Sequence, residues 1–302
     1  MRKISKEMRI AVIAGGMSDE RSVSLETGHM MHEALVKGGY VNAVFIDAGF
    51  DLDIRLREFR PDIVVNGLHG KYGEDGTVQG LLEMMKIPYT NSGVCASAAG
   101  MNKIIARSMM KECGIKVASG MSVVFETGMT APMRYPFVIK DPVNGSSRGV
   151  YIIKNEDLWN ETAKLLKPGM VYLCEQFFKG REINVAILLN EVLGDVEIIP
   201  ANEFYDFESK YLSDKTKYVV DPDYSEKVSR EICDAALRLH KAIGCKGVSR
   251  SDFIVSGDDY VMLEINTLPG MTSHSLVPMI AGKRGITYLN LIEKLMEEAL
   301  NC

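Results

Sequence analysis

Short apolar runs broken by turn residues recur along the chain, and their spacing predicts its elements. Residues 9–14 (RIAVIA) form a buried-strand pattern that stops at Gly15-Gly16. Val23, Thr27, Met30, Met31, Ala34 and Leu35 then return at helical spacing, so a helix runs to about Lys37. Ser18 or Asp19 is its expected cap, and Gly38-Gly39 its stop. Strands are expected at 41–46, at Ile63–Asn66 and at 87–91, with a helix over Thr77–Met85. Strands alternating with helices predict a parallel sheet with crossovers, whose ligands sit at the carboxyl ends of the strands.

The pattern then changes. Small residues at 92–100 lead to a helix over 102–113, stopped by Gly114, and to strands at 135–140 and 171–174. Two further strands are expected at 183–189 and 192–199, followed by a long aromatic and charged loop over 202–219. Val228, Ile232, Ala236, Leu239 and Ile243 give one face of a core helix over 225–243. A strand opening at Asp252 (252–255), a turn at Ser256-Gly257-Asp258, a strand over 260–265 and a helix over 287–300 complete the chain. The expected fold is α/β in three domains, bounded at 1–92, 93–178 and 179–302.

Composition narrows the function classes. The 302 residues are 46% hydrophobic and 25% charged, as in an ordinary globular protein. A net charge of −5 argues against a nucleic-acid partner. The six cysteines are scattered with no CxxC, so neither zinc nor disulfides are expected. No apolar run reaches about 18 residues, and no membrane partner is expected. The basic start has an apolar run too short for a signal peptide, interrupted by Glu7-Met8-Arg9, which makes the cytoplasm the default location.

The chemistry concentrates in 252–278. Glu264 and Asn266 project to one side of their strand, and an antiparallel partner adds Asp252. Three hard oxygen donors suit Mg²⁺, which keeps other positions for water and phosphate. The plainer alternative is an acidic sheet edge facing water. Pro269-Gly270-Met271-Thr272-Ser273-His274-Ser275 follows at once, a turn able to present N–H groups and hydroxyls to an anion. Upstream, Lys140 ends an apolar strand, where its charge is costly without an anion. Gly145-Ser146-Ser147-Arg148-Gly149 comes soon after, a flexible loop of the kind that closes over phosphates. Gly15-Gly16 is not GxGxxG, so a dinucleotide site is weakly supported.

These motifs, in this order, resemble the D-alanine–D-alanine ligases, which are ATP-grasp enzymes. The resemblance is carried by GGMSDERSVSL, HGKYGEDGTVQGLLE, Met101-Asn102-Lys103, the loop after Lys140, the aromatic segment through Tyr211, and Arg250-Ser251-Asp252 with EINTLPGMTSHS. It implies an ATP-grasp fold preceded by a Rossmann-like domain, and ATP-dependent joining of two D-alanines through D-alanyl phosphate for peptidoglycan synthesis. It implies ATP and Mg²⁺ (two ions, with Mn²⁺ a substitute), D-alanine as substrate and a homodimer. Glu20 would receive the first D-alanine's ammonium, His69 would lie near its carboxylate, and Ser275 and Leu276 would hold the second. Lys103, Lys140, Ser147 and Lys210 would contact phosphates, and Glu175, Gln176, Phe177, Phe178 and Glu182 the adenosine. Asp252, Glu264 and Asn266 would hold metal, Arg250 and Gly270 an oxyanion. Ser146 and Tyr211 would join Glu20 across three domains. The chain departs from the family at Asp141, where proline is usual, at Gln176, where lysine is common, and at Phe207, where tyrosine is usual; Arg148 stands inside the loop. Joining D-alanine to D-lactate, or binding nucleotide without catalysis, are the competing readings.

Overall fold

The computed structural model describes residues 3–145, 149–199 and 216–301, and three sheets organise them. The first is parallel: β1 (Ile10–Ala14) lies between β2 (Ala43–Asp47) and β3 (Ile63–Asn66). Every residue of β1 is buried, because helices cover the sheet. Helix α1 (Arg21–Lys37) lies so close that a Cβ at Gly28 would stand 2.2 Å from that of Ala14. The helix starts after Glu20, which caps it with no side-chain bond. Ser18 does not cap either: its hydroxyl accepts from the N–H of Glu20 at 3.2 Å and donates to the His69 carbonyl at 2.7 Å, tying two loops together.

Two departures from the sequence pattern lie here. Helix α2 (Leu52–Phe59) is largely charged and buries only Leu52 and Leu56, too little to register as a periodic face. The expected strand at 87–91 reduces to one bridge, Val64 to Tyr89. Positive φ at Lys86 (56°) and Asn91 (72°) turns the chain at both ends of the segment, and Pro88 has no N–H to give. Helix α3 (Thr77–Met85) forms as expected.

The second sheet is antiparallel, ordered β4 (Gly120–Val124), β7 (Val171–Gln176), β5 (Phe137–Lys140), β6 (Val150–Ile153), with α6 (Glu156–Ala163) against it. Phe125, Phe137, Ile139, Trp159, Tyr172 and Cys174 belong to a core cluster of its own. The third sheet is antiparallel in the order β10 (Lys217–Val220), β9 (Glu191–Ile199), β8 (Arg181–Leu188), β11 (Val248–Ser256), β12 (Asp259–Asn266). Ile183, Val185 and Phe253 point from one face to a core shared with α4 (Val94–Met101), α5 (Lys103–Glu112) and α7 (Glu226–Ala242). Ala186, Val196 and Val248 belong to a different core, completed by α8 (Leu276–Lys283) and α9 (Tyr288–Ala299). That second core also takes in Ile10, Val12, Ile63 and Val65 of the first sheet. The first and third sheets are thus sealed together by one apolar interior, while the second keeps its own.

Candidate active site

The acidic positions meet on the third sheet. Strand β11 begins at Val248, so Asp252 sits in mid-strand and does not open it; the strand extends back because Val248 to Ser251 still pair with β8. Register sets Asp252 opposite Glu264 and Arg250 opposite Asn266. A bulge at this point leaves Leu263 unpaired, since Phe253 pairs with Met262. Tyr260 and Met262 face the helices, and period-two alternation alone would send Glu264 after them. The extra residue reverses the phase and brings Glu264 to the face that carries Asp252.

Each donor is held. Asp252 accepts both bonds of the Arg250 guanidinium, Nε at 2.7 Å and Nη2 at 2.8 Å. Glu264 Oε2 lies 3.4 Å from Lys103 Nζ, and Asn266 Oδ1 accepts from the Leu268 N–H at 2.9 Å. Across β11, Asn184 pairs with Asp252, and its fully buried amide finds no hydrogen-bond partner among the described residues. Among those residues no group of three or more His, Cys, Asp or Glu side chains forms a metal cluster. Two carboxylates in register, with an amide oxygen beside them and orphaned polar atoms next to them, nevertheless fit a hard divalent ion that keeps water and phosphate ligands.

Between the second and third sheets lies a cavity of about 820 Å³. Gln176, Phe177, Phe178 and Glu182 line it together with Lys103, Lys140, Asp252 and Glu264. Asn102 caps α5 by accepting from the N–H groups of Ile104 and Ile105, which fixes Lys103 as the first helical residue. Lys103 Nζ donates to the Asn144 carbonyl at 2.7 Å. Glu175 is buried, with one oxygen bound by Lys140 at 2.7 Å and the other by Arg107 at 2.9 Å. The Gln176 amide donates to the Pro136 carbonyl at 2.6 Å.

A smaller pocket of about 120 Å³ opens beside it, bordered by Glu20, His69, Glu74, Gly145, Arg250, Gly270, Ser275 and Leu276. Burial holds the His69 imidazole down at about 4, so the ring is neutral at neutral pH; its Nε2 lies 3.0 Å from the Thr27 hydroxyl. Burial first, and then the charge of Glu20, pushes Glu74 well above the ordinary carboxylate range. One Glu74 oxygen accepts from the Gly70 N–H at 3.0 Å. Gly145 approaches so closely that a Cβ there would meet Glu20 Oε1 at 2.9 Å. The turn after β12 is tied by Ser275, whose hydroxyl oxygen accepts from the Thr272 N–H at 2.9 Å, and the Tyr288 hydroxyl donates to the Met271 carbonyl.

The structure therefore gathers Lys103, Lys140, Glu175, Gln176, Phe177, Phe178, Asp252 and Glu264 at one cavity, and Glu20, His69, Arg250, Asn266, Gly270, Ser275 and Leu276 at the other. Lys103, Glu182 and Glu264 border both. Ser146, Ser147, Lys210 and Tyr211, with Arg148 and Phe207, lie outside the described residues. Glu74, Arg107 and Asn184 are additions that the sequence pattern did not single out. Only Glu74 carried a local signal, as the acid inside a glycine-rich turn.

Comparison with known proteins agrees with this arrangement. The family models described as the N-terminus and the C-terminus of D-ala D-ala ligase match residues 50–92 and 114–297. A D-alanine–D-alanine ligase of Geobacter sulfurreducens is 43% identical over 302 residues, covering 97% of this chain and 95% of its own. Another, from Trichlorobacter lovleyi, is 40% identical over 297 residues, with 96% and 94% covered. The crystal structure of the D-alanine–D-alanine ligase from Bacillus anthracis complexed with ATP superposes with a TM-score of 0.84 at 31% identity, over 97% of this chain and 98% of that one. With its parallel sheet leading into two antiparallel ones, the chain has the ATP-grasp fold and belongs to the D-alanine–D-alanine ligase family.

Proposed function

We propose that the chain joins two D-alanine molecules into D-alanyl-D-alanine with cleavage of ATP, through D-alanyl phosphate, as a step toward peptidoglycan precursors. The observation that carries this reading is the common edge of the two cavities, where Lys103 and Glu264 stand between a nucleotide-sized space and an amino-acid-sized one. A carboxylate is too poor an electrophile for an amine. Transfer of the γ-phosphoryl group to the first D-alanine makes it an acyl phosphate, and attack by the second amine expels phosphate.

Each side chain has a place in that sequence. Glu20 receives the ammonium of the first D-alanine, and neutral His69 lies near its carboxylate without adding charge. Lys103 and Lys140 neutralise phosphoryl oxygens as charge shifts. Phe177 and Phe178 wall the adenine, with Glu175, Gln176 and Glu182 as the polar residues of that end. Arg250 and the Gly270 N–H stabilise the oxyanion of the tetrahedral intermediate. Ser275 and Leu276 hold the second D-alanine. Asp252, Glu264 and Asn266 would hold Mg²⁺, which supplies charge neutralisation at the phosphates when bound. Ser146, Ser147, Lys210 and Tyr211 keep their roles on the resemblance alone. The division into units at 1–92, 93–178 and 179–302, a homodimer and a cytoplasmic location belong to the same proposal.

Mass spectrometry of products from ATP, Mg²⁺ and D-alanine, with and without D-lactate, tests the reaction. The expected product is D-alanyl-D-alanine with little depsipeptide; mainly depsipeptide overturns the substrate assignment, and no ATP cleavage overturns the activity. A folded Glu264→Gln variant should lose at least about 10²-fold in turnover, the scale of removing one group that stabilises developing charge. Near-normal turnover at saturating Mg²⁺ would remove Glu264 from the metal set.

A further inference from the structure

Arg107 does not line the nucleotide cavity, yet it is tied to a residue that does. It projects from α5, is 7% exposed, and donates to Glu175 at 2.9 Å and to the Ala118 carbonyl at 2.6 Å. Lys140 takes the other Glu175 oxygen at 2.7 Å, and all three side chains are buried. Two cations therefore share one carboxylate, so this wall of the cavity carries an excess positive charge.

That imbalance decides what the lysine can do. A phosphate would compete with Glu175 for the three N–H donors of the Lys140 ammonium and draw it from the carboxylate. A buried carboxylate stripped of its only counter-charge is strongly unfavourable, whereas one that keeps an arginine is not. The guanidinium is suited to stay behind, because its second amino group is anchored on a backbone carbonyl. With Arg107 present, nucleotide binding leaves a neutral Arg107–Glu175 pair and moves one positive charge to the phosphates. Without it, Glu175 and Lys140 form a closed neutral pair that competes with the nucleotide for the lysine.

We propose that Arg107 is a positioning residue for nucleotide, holding Glu175 so that Lys140 is free to pass to the phosphates. The inference rests on the reading of the larger cavity as the ATP site. Arg107→Met removes the charge at similar size. It should raise the KM for ATP and the Kd for ADP at least about tenfold, a conservative share of the cost of stranding a buried charge. The KM for D-alanine should stay as in the wild type. Adding Glu175→Gln to Arg107→Met removes the competing carboxylate, so the double variant should bind ADP more tightly than Arg107→Met, short of wild type by the contact that Glu175 itself makes with the nucleotide. Arg107→Lys keeps the charge but loses the guanidinium fork that also holds the Ala118 carbonyl, so its loss of ADP affinity should be smaller than that of Arg107→Met. A merely structural role predicts the reverse: KM values that move together, and a double variant worse than the single. Either result overturns the proposal, as does unchanged ADP affinity in a folded Arg107→Met. If Arg107→Met does not fold, ADP binding by the double variant and by Arg107→Lys decides alone, with a tenfold or greater loss in both overturning the proposal. Wild-type protein that binds neither ADP nor ATP would instead overturn the reading of the cavity.

Discussion

Two buried titratable residues at the smaller pocket pull stability in opposite directions as pH changes. His69 is held at about 4 against an ordinary 6.5, so the unfolded chain takes up its proton first as the medium is acidified. Its contribution is complete above 6.5 and is lost as pH falls toward 4. Glu74 is the mirror case. Its folded value of about 8 lies above the ordinary 4.5, so its contribution is complete below 4.5 and lost as pH rises toward 8. Glu74→Gln retains an oxygen for the Gly70 N–H but cannot titrate. Thermal unfolding from about pH 5 to pH 9 should show the wild type losing stability relative to the variant as pH rises. A constant difference across that range would mean that Glu74 is not perturbed. Such residues are hard to read in a sequence for a simple reason. Glu74 is perturbed by burial and then by Glu20, and Arg107 is bound to Glu175, and each partner is supplied by a distant element.

At the scale of elements, placement depends on ends and irregularities more than on the apolar runs. Lys103 is aimed by the first turn of α5, and Asn102 holds that turn with bonds to the N–H groups of Ile104 at 3.0 Å and Ile105 at 3.2 Å. Asn102→Ala should cost about 1 kcal/mol of stability, the usual loss for an N-cap, and should raise the KM for ATP because Lys103 loses its fixed direction. Denaturant titration measures the first effect and initial rates the second; a stable variant with an unchanged KM would show that the cap does not aim the lysine. The hairpin of β11 and β12 was legible from its turn residues and β-formers, although the first strand begins at Val248 and not at Asp252. Its bulge was not: nothing about Leu263 in the sequence says that it stands unpaired. The common side of Glu264 and Asn266 followed from their spacing, while their side relative to Tyr260 and Met262 depended on that one residue. Helix α2 and the lost strand at 87–91 have equally local causes, a narrow apolar face in one and two left-handed residues in the other.

For the whole molecule, the distribution of cores matters most. Leu291, Ile292, Leu295 and Met296 of α9 share a cluster with Val12 of the first sheet and Val196 of the third, so these parts rise and fall in stability together. The second sheet is a smaller body around Phe137 and Trp159, one with less interior to lose. The chain holds a single tryptophan, and it lies in this body, 2% exposed, with its indole N–H on the Met129 carbonyl. Its fluorescence is therefore a native optical label for one lobe, while far-UV dichroism averages over all three sheets. In a denaturant titration the emission should shift at a lower midpoint than the dichroism, and coincident midpoints would show that the lobes unfold as one. ADP should move the emission midpoint further than the dichroism midpoint, so one of the two lobes that face the nucleotide cavity can be watched without attaching a dye.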